Sequence, residues 1–437
     1  MRTHETLYSF NGRKLLMPAS NMKIVTLAAA SARLGWDFTY RTTLYATGPI
    51  EDGTLAGDLV VVGSGDPSIG TLDGSADELF STWAQRLAQL GVRTIDGRII
   101  GDDNAFEDLE LGFGWSWDDL AEDYAAGVSA LQYNENAVRV AIMPGPAAGD
   151  QAVVTVDPPG AGIEVTNAVR TVATGTAAIL TTRRLPGRQR LEVAGNIPRS
   201  NPPSVLTVSV DNPTLFFVQA MRRALIGQGL DVRGAAVDID DVSGGPAVQR
   251  SMEIAVHRSP PLSTLAIRLM KDSQNQYAET FLKTIAAADR SDVPATAEAG
   301  RLAAQKLFEG WGIDAGSLIQ RDGSGLSRYD YVTAEALTIM LAHLYEDGAD
   351  RDAFMATLPV AGEDGTLNTR LKGTAAAGNA RAKTGSMSNV RGLSGYVNTA
   401  DGEPLAFAIL ANNFDSPPRS ISEAEDVIVI ALANFRR

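Results

Sequence analysis

The chain has no cysteine among its 437 residues. Disulfides, thiolate metal sites and a cysteine nucleophile are excluded together, while the redox compartment stays open, since such a chain folds equally in oxidising or reducing surroundings. Histidine is almost as scarce, with only His4, His257 and His343. No Gly-x-Ser-x-Gly elbow accompanies them and no two are close in sequence, so a Ser-His-Asp triad and a histidine metal site both lack support. Positive charge is also short: 38 Lys and Arg against 52 Asp and Glu leave a net charge of −14. The arginines are scattered, with pairs such as Arg183-Arg184 and Arg222-Arg223 as the only runs, so nucleic acid is not an expected partner. Lysine is the rarer cation, with Lys14, Lys23, Lys271, Lys283, Lys306, Lys372 and Lys383 making seven of the 38. Any lysine in a chemical context is therefore informative.

Long apolar runs are missing too. The longest, 24–32 and 427–433, fall well short of the ~18 residues of a membrane span and read as buried helix, so no membrane span is expected. The opening Met1-Arg2-Thr3-His4-Glu5-Thr6 is polar, with no apolar stretch or cleavage site, and no signal peptide is expected in this sequence. With 44% hydrophobic and 21% charged residues, the composition is that of a globular chain, long enough for two or three domains. Gly63-Ser64-Gly65-Asp66-Pro67-Ser68-Ile69-Gly70 resembles a phosphate loop superficially. It lacks the third glycine at dinucleotide spacing and any following Gly-Lys-Ser/Thr, and reads as a turn-rich loop. No cofactor and no metal is expected. Carboxylate pairs such as Asp102-Asp103 and Asp118-Asp119 are ordinary in an acidic chain and give a glycosidase little weight.

Texture divides the chain. Pro18-Ala19-Ser20 leads into Ile24, Leu27, Ala28, Ser31 and Leu34 at helical period, stopped by Gly35, with almost no polar face: a central, buried helix. From Tyr40 to about Gln249 come short strand candidates at 43–46, 58–62, 98–100, 137–142, 152–156, 178–182, 191–193 and 205–210, punctuated by Gly, Pro, Asn and Asp. Two helices interrupt them. One opens on the capping box Ser75-Ala76-Asp77-Glu78, the other on Asp211-Asn212-Pro213, a cap followed by proline at the first helical position. After Ser259-Pro260-Pro261, helices are expected over 262–270, 274–288, 295–311 and 333–345. Strands follow at 380–384, 393–397 and 405–412, with Thr399-Ala400-Asp401-Gly402 as a hairpin turn, and a last helix spans 420–435.

The chemical candidate is Ser20-Asn21-Met22-Lys23. At a helix start, residues three apart share a face, so hydroxyl and amine can meet. Where no histidine is available, a neutral lysine can take the serine's proton. Lowering a lysine from ~10.4 to near 7 costs on the order of 4 kcal/mol, supplied by burial and cationic repulsion. Alone the motif is weak, since about half a match arises by chance from ordinary serine frequencies. Two further elements decide the matter. Ser273-Gln274-Asn275 stands between two expected helices, and Lys383-Thr384-Gly385, which occurs once, stands on an expected strand. Ser-x-Asn alone is common, as Ser9-Phe10-Asn11 shows. Ser-x-x-Lys, then Ser-x-Asn, then Lys-Thr-Gly is the motif order of serine β-lactamases and penicillin-binding proteins.

These blocks, with Ile24-Val25-Thr26, Gly65-Asp66-Pro67 and Asp322-Gly323-Ser324-Gly325-Leu326-Ser327-Arg328, make essentially the whole chain resemble the D-alanyl-D-alanine carboxypeptidase/endopeptidase family, the low-molecular-mass class C penicillin-binding proteins. Asn275 lies 252 positions beyond Lys23, and the resembled family places two β-rich domains, one nested in the other, in that interval. The resemblance implies an α/β (α+β) catalytic domain of the serine β-lactamase/DD-peptidase kind, an antiparallel sheet flanked by helices, made from 1–39 and 250–437. It implies an inserted β-rich domain from 40–69 and 151–249, and a nested second one over 70–150. Carried over by motif, Ser20 is the acylated nucleophile and Lys23 its base. Ser273 relays a proton to the leaving amine, and Asn275 holds the substrate amide. Lys383 keeps Lys23 neutral by repulsion, anchors Ser273 and, with Thr384, attracts the terminal carboxylate. Gly385 completes that block on the substrate-binding strand. Ser20 and Ser386 supply oxyanion-hole N–H groups, and Arg328 is a wall residue. The implied substrate is a peptidoglycan stem peptide, the implied inhibitors are β-lactams, and the implied location is periplasmic or otherwise extracytoplasmic.

Two departures stand out. Gln274 occupies the middle of the second motif, where related enzymes often carry aspartate. Only 17 residues precede Pro18, where the resembled family carries a leader, a first helix and a first strand, so the start reads as cut short. A β-lactamase or esterase on the same scaffold shares all three motifs, and only the large insert favours the peptidase. A catalytically silent peptidoglycan-binding protein is the alternative that the short start leaves open.

Overall fold

The computed structural model describes residues 5–70, 74–159, 162–244, 251–288, 294–346 and 348–437. His4 and the expected seam at 249/250 lie outside the described residues. The chain divides into two compact units, one of Met1–Thr39, Gly112–Trp115 and Pro260–Arg437, the other of Tyr40–Leu111 and Ser116–Ser259.

The first unit is α+β. Its three-stranded antiparallel sheet runs Arg381–Met387, Val390–Asn398, Pro404–Asn412 in spatial as in chain order. The Thr399–Gly402 turn closes the second hairpin through a Gly402 N–H to Thr399 carbonyl bond of 2.9 Å. Helices Ala334–Glu346 and Pro418–Asn434 pack on this sheet, and Leu393, Val397, Leu405, Phe407, Val429 and Ala433 share one buried cluster. The helix expected after Pro18 runs Met22–Leu34 and is buried without a break from Met22 to Ser31. Its alanines let Leu262–Lys271, Asn275–Ala287, Ala297–Gly310 and Ala334–Glu346 pack around it. Each fully buried Leu, Ile or Val there contributes roughly 1.5–3 kcal/mol. Gly35 ends the helix at φ 80° with its N–H on the Ser31 carbonyl, a conformation in which a Cβ is strained. Gly348–Thr357 is a further helix that the sequence pattern does not announce.

The second unit is β-rich. Five strands form a mixed sheet in the order Ala236–Asp238, Ile99–Asp102, Leu59–Val62, Arg41–Ala46, Met252–Arg258. The last of these follows the expected seam at 249/250 but pairs along its length with Arg41–Ala46, which groups it with the insert. Ile99–Asp102, within the stretch expected to be nested, lies beside Leu59–Val62 from outside that stretch. Two three-stranded sheets add Glu164–Val172, Ile179–Arg184 and Arg190–Pro198, and Ala137–Met143, Val153–Asp157 and Ser204–Ser209. Helices Ser75–Gln89 and Pro213–Gly227 meet through Phe80 and Phe217, edge to face at 5.5 Å. Asn212 caps the second helix, its Oδ1 accepting the Leu215 N–H at 2.6 Å, as expected. Ser75 does not cap the first. It is the first helical residue, behind a left-handed Gly74, because its hydroxyl is taken by the preceding loop, accepting the Gly70 N–H at 2.9 Å. Among the described residues, no helix is long and apolar enough to cross a membrane.

Candidate active site

The first unit brings eight of the nine sequence candidates together, all but Arg328. Ala19–Asn21 form a single 3-10 turn ahead of the Met22–Leu34 helix, which carries Lys23 one turn beyond Ser20. Two-way hydrogen bonds hold the approach to this turn. The Met17 N–H donates to Asn412 Oδ1 at 2.7 Å, and Asn412 Nδ2 donates to the Met17 carbonyl at 3.0 Å. Ala19 sits at φ 47° and Ser273 at φ 61°, left-handed conformations that cost a residue with a Cβ on the order of 1–3 kcal/mol. Both strained residues stand at the site.

Two glycines permit the approach of neighbouring elements to the Ser20 turn. A Cβ on Gly385 would lie 2.6 Å from the Pro18 carbonyl oxygen, and one on Gly325, which also has φ +83°, would lie 1.9 Å from the Ala19 carbonyl oxygen. The edge strand Arg381–Met387 and the Asp322–Arg328 loop can thus close on the turn only because neither residue has a side chain. Gly385 therefore acts through backbone contact.

Lys23 is wholly buried. Its Nζ donates to Ser20 Oγ at 2.9 Å, to Asn275 Oδ1 at 2.6 Å and to the Ser324 carbonyl at 3.0 Å. Burial lowers its pKa to about 7, while the charges of Asp322 and Glu279 pull in the opposite direction. Lys383, equally buried, donates to Ser273 Oγ at 2.8 Å and to the Thr384 carbonyl at 3.0 Å. Burial drives its pKa well down, with the neighbouring charge of Lys23 as the second cause. The resemblance has Lys383 keep Lys23 neutral by repulsion; in the structure burial is what lowers Lys23, and the repulsion between the two lysines acts on Lys383. Thr384 Oγ1 donates to Thr366 Oγ1 at 2.8 Å. Gln274 is the N-cap of Asn275–Ala287, its side chain accepting from the Gln276 N–H.

Glu279 and Asp322 are the buried carboxyl groups whose charges act on Lys23. Glu279 accepts the N–H groups of Gly323 and Ser324, each at 2.8 Å, which fixes the Ser324 carbonyl against Lys23. Burial, with Asp322 next, pushes its pKa up to about 8. Asp322 accepts from the Gly325 N–H at 2.7 Å, the Ser327 N–H at 2.6 Å and Trp115 Nε1 at 2.9 Å. Burial and then Asp322 raise Asp330 well above the carboxylate range.

A cleft of about 530 Å³ is lined by Ser20, Ser273, Thr384 and Ser386, and further by Thr366, Arg370, Arg391 and Arg419. The last four were missed in the sequence. Arg391 was accessible in principle, since it pairs across from Ser386 in the hairpin, and Glu279 stands four residues after Asn275 on the same helical face. Arg328 is exposed outside the cleft lining, with Nη1 3.5 Å from the Ser388 carbonyl. The described histidines serve elsewhere. His343 stacks on Trp311 at 3.9 Å, and His257 lies 3.3 Å from the buried Asp66.

The chain is similar to known proteins over nearly its whole length. The D-alanyl-D-alanine carboxypeptidase of Actinomadura sp. (strain R39) is 35% identical to this chain over 446 residues, covering 99% of this chain and 80% of the relative. The crystal structure of penicillin binding protein 4 (dacB) from Haemophilus influenzae superposes with a TM-score of 0.84 at 27% identity, covering 99% of this chain and 95% of that one. The same protein complexed with a β-lactam gives 0.80 at 26% identity, covering 99% and 94%. The D-Ala-D-Ala carboxypeptidase 3 (S13) family matches residues 1–434, and the chain belongs to that family.

Proposed function

We propose that this serine-type D-Ala-D-Ala carboxypeptidase removes the terminal D-alanine of peptidoglycan stem peptides through an acyl-enzyme on Ser20. The observation that carries this reading is the Lys23 amine, wholly buried, 2.9 Å from Ser20 Oγ and lowered to about 7. Near neutral pH a substantial fraction of that amine is free to accept a proton.

Ser20 Oγ attacks the carbonyl carbon of the penultimate D-alanine and passes its proton to Lys23 Nζ. The N–H groups of Ser20 and Ser386 receive the developing oxyanion. Asn275 holds the substrate amide, and Thr384 with Lys383 attracts the terminal carboxylate. As the C–N bond breaks, the proton that Lys23 took from Ser20 is relayed through Ser273, held by Lys383 at 2.8 Å, to the departing amine, which returns Lys23 to its neutral form. Water then adds to the acyl carbon, gives its proton to Lys23, and Ser20 leaves as its hydroxyl is restored. The same steps on a cross-link, with a peptide amine as leaving group, constitute endopeptidase action. Arg328 contributes to the outer wall. Peptidoglycan lies outside the cytoplasm, and the enzyme acts there. The β-lactam complex of the Haemophilus influenzae protein supports β-lactam binding by this chain, and the mechanism above directs the acylation to Ser20.

The test is labelling with a fluorescent penicillin, followed by mass mapping. A single adduct on the Ser20 peptide, absent from Ser20→Ala, is expected. An unlabelled native protein would leave the silent, peptidoglycan-binding alternative, and labelling that survives Ser20→Ala would sink the mechanism. The lifetime of the adduct separates peptidase from β-lactamase, since an efficient lactamase releases it rapidly.

A further inference from the structure

Antiparallel pairing sets Ser386 directly opposite Arg391. Residues paired in this way share one face of the sheet, and both line the cleft that opens at Ser20. Three arginines line that cleft, in a chain whose net charge is −14. Their charges are not equally free. Arg370 is neutralised by Asp426 at 2.8 Å and Glu425 at 3.1 Å. Arg419 is exposed and pairs with Glu423 one helical turn on, at 2.8 Å.

Arg391 differs from both. It is partly buried and donates only through Nη1, to the carbonyls of Met387 at 2.8 Å and Val390 at 2.7 Å. Among the described residues, no carboxylate lies within ion-pair distance of Arg391, and its Nε and Nη2 have no hydrogen-bond partner. Glu425 acts on it only at longer range. A guanidinium whose charge is unmatched, with two donors free beside an open cleft, has the chemistry of a carboxylate receptor.

We propose that Arg391, flanked by Arg419 and the Ser422 hydroxyl, forms an anion subsite that favours substrates whose departing residue carries a second carboxylate beyond its terminal one. The proposal rests on the acyl-enzyme reading above, in which Thr384 takes the terminal carboxylate and so directs the departing residue towards this wall. A leaving D-amino acid with an acidic side chain, or a cross-linked peptide with a free acid, is the class of group it selects.

Two peptides that differ in one group test it: N-acyl-D-Ala-D-Glu and N-acyl-D-Ala-D-Gln. A charge-assisted hydrogen bond predicts kcat/KM about 10- to 100-fold higher for the acid in the native enzyme. Arg391→Gln brings the two peptides to within about 2-fold, and Arg391→Lys, which keeps the charge but loses the planar fork, falls between. Because Arg391 also ties two carbonyls of its hairpin, its loss slows both peptides together. A purely structural role therefore leaves the ratio unmoved. Equal turnover of acid and amide by the native enzyme overturns the subsite whatever the variants do, and so does an unchanged ratio in Arg391→Gln. Failure of the native enzyme to take up labelled penicillin at Ser20 overturns the acyl-enzyme reading instead, a separate outcome.

Discussion

An amine serves as a general base only if it surrenders its proton near the working pH, and Lys23 meets that condition through burial. Arginine at this position keeps the charge but does not deprotonate. Lys23→Arg is expected to lower the rate of penicillin acylation at least about 100-fold, and near-native acylation would place the base elsewhere. The pH profile follows from the same group. Acylation needs the neutral amine, so its rate rises as pH climbs through about 7 and levels off above. Asp322 stabilises the protonated amine, so Asp322→Asn should move this limb to lower pH; stopped-flow acylation across pH 5–9 measures it, and an unmoved limb would remove Asp322 from the balance. Ser20, Lys23, Ser273, Asn275 and Lys383 were legible because residue type, spacing and order carried them. Glu279 was not read, since its place one helical turn after Asn275 sets its face but not its burial, and a buried carboxylate looks in sequence like a solvated one.

At the scale of elements, the helices of the catalytic unit were legible from their 3.6-residue period, with ends found within one or two residues. The exceptions have physical causes. Met252–Arg258 alternates like a strand, but its partner Arg41–Ala46 is some two hundred positions away, and no local signal announces that pairing. Glu164–Val172 pairs in parallel with Arg190–Pro198, and its polar Asn167 and Arg170 blur the pattern. Gly348–Thr357 opens on glycine, and its only fully buried large apolar side chain is Phe354. The meeting of the Asp322–Arg328 loop with the Ser20 turn was invisible as well, although Gly325 marked the place. Gly325→Ala forces a Cβ towards the Ala19 carbonyl in a left-handed conformation. We expect acylation to fall about 10-fold or more through displacement of the nucleophile. Gly310→Ala, in a helix with open space around the added carbon, should instead leave acylation alone and stabilise the fold by about 0.4–1 kcal/mol. Equal effects of the two substitutions would show that the close approach has no bearing on catalysis.

For the molecule as a whole, the buried carboxyl groups set the dependence of stability on pH. Burial raises Asp103 and Glu425 to about 7 and Glu279 to about 8, and carries Asp330 well above its ordinary value. In the unfolded chain all four titrate near 4. Between about pH 4 and pH 7 the folded protein therefore binds more protons than the unfolded one, and the free energy of unfolding falls as pH rises. Each group contributes on the order of 1 kcal/mol per pH unit inside its window. Lys23 works in the opposite sense above about 7, where the unfolded chain retains a proton that the folded amine has lost, and Lys383, driven well down by burial, opposes the four carboxyl groups in the same way. Asp58 and Asp364, which burial raises but Arg98 and Lys271 hold below the ordinary value, lose their contribution only on acidification below about 4. Stability should peak on the acid side of neutrality, with the urea midpoint higher at pH 5 than at pH 7. Glu279→Gln has no proton to lose, so it should flatten this slope whatever it does to the midpoint itself. A midpoint that holds level or rises from pH 5 to pH 7 in the native protein would show that these carboxyl groups ionise inside the fold as readily as in water, and that the cations around them match their charge.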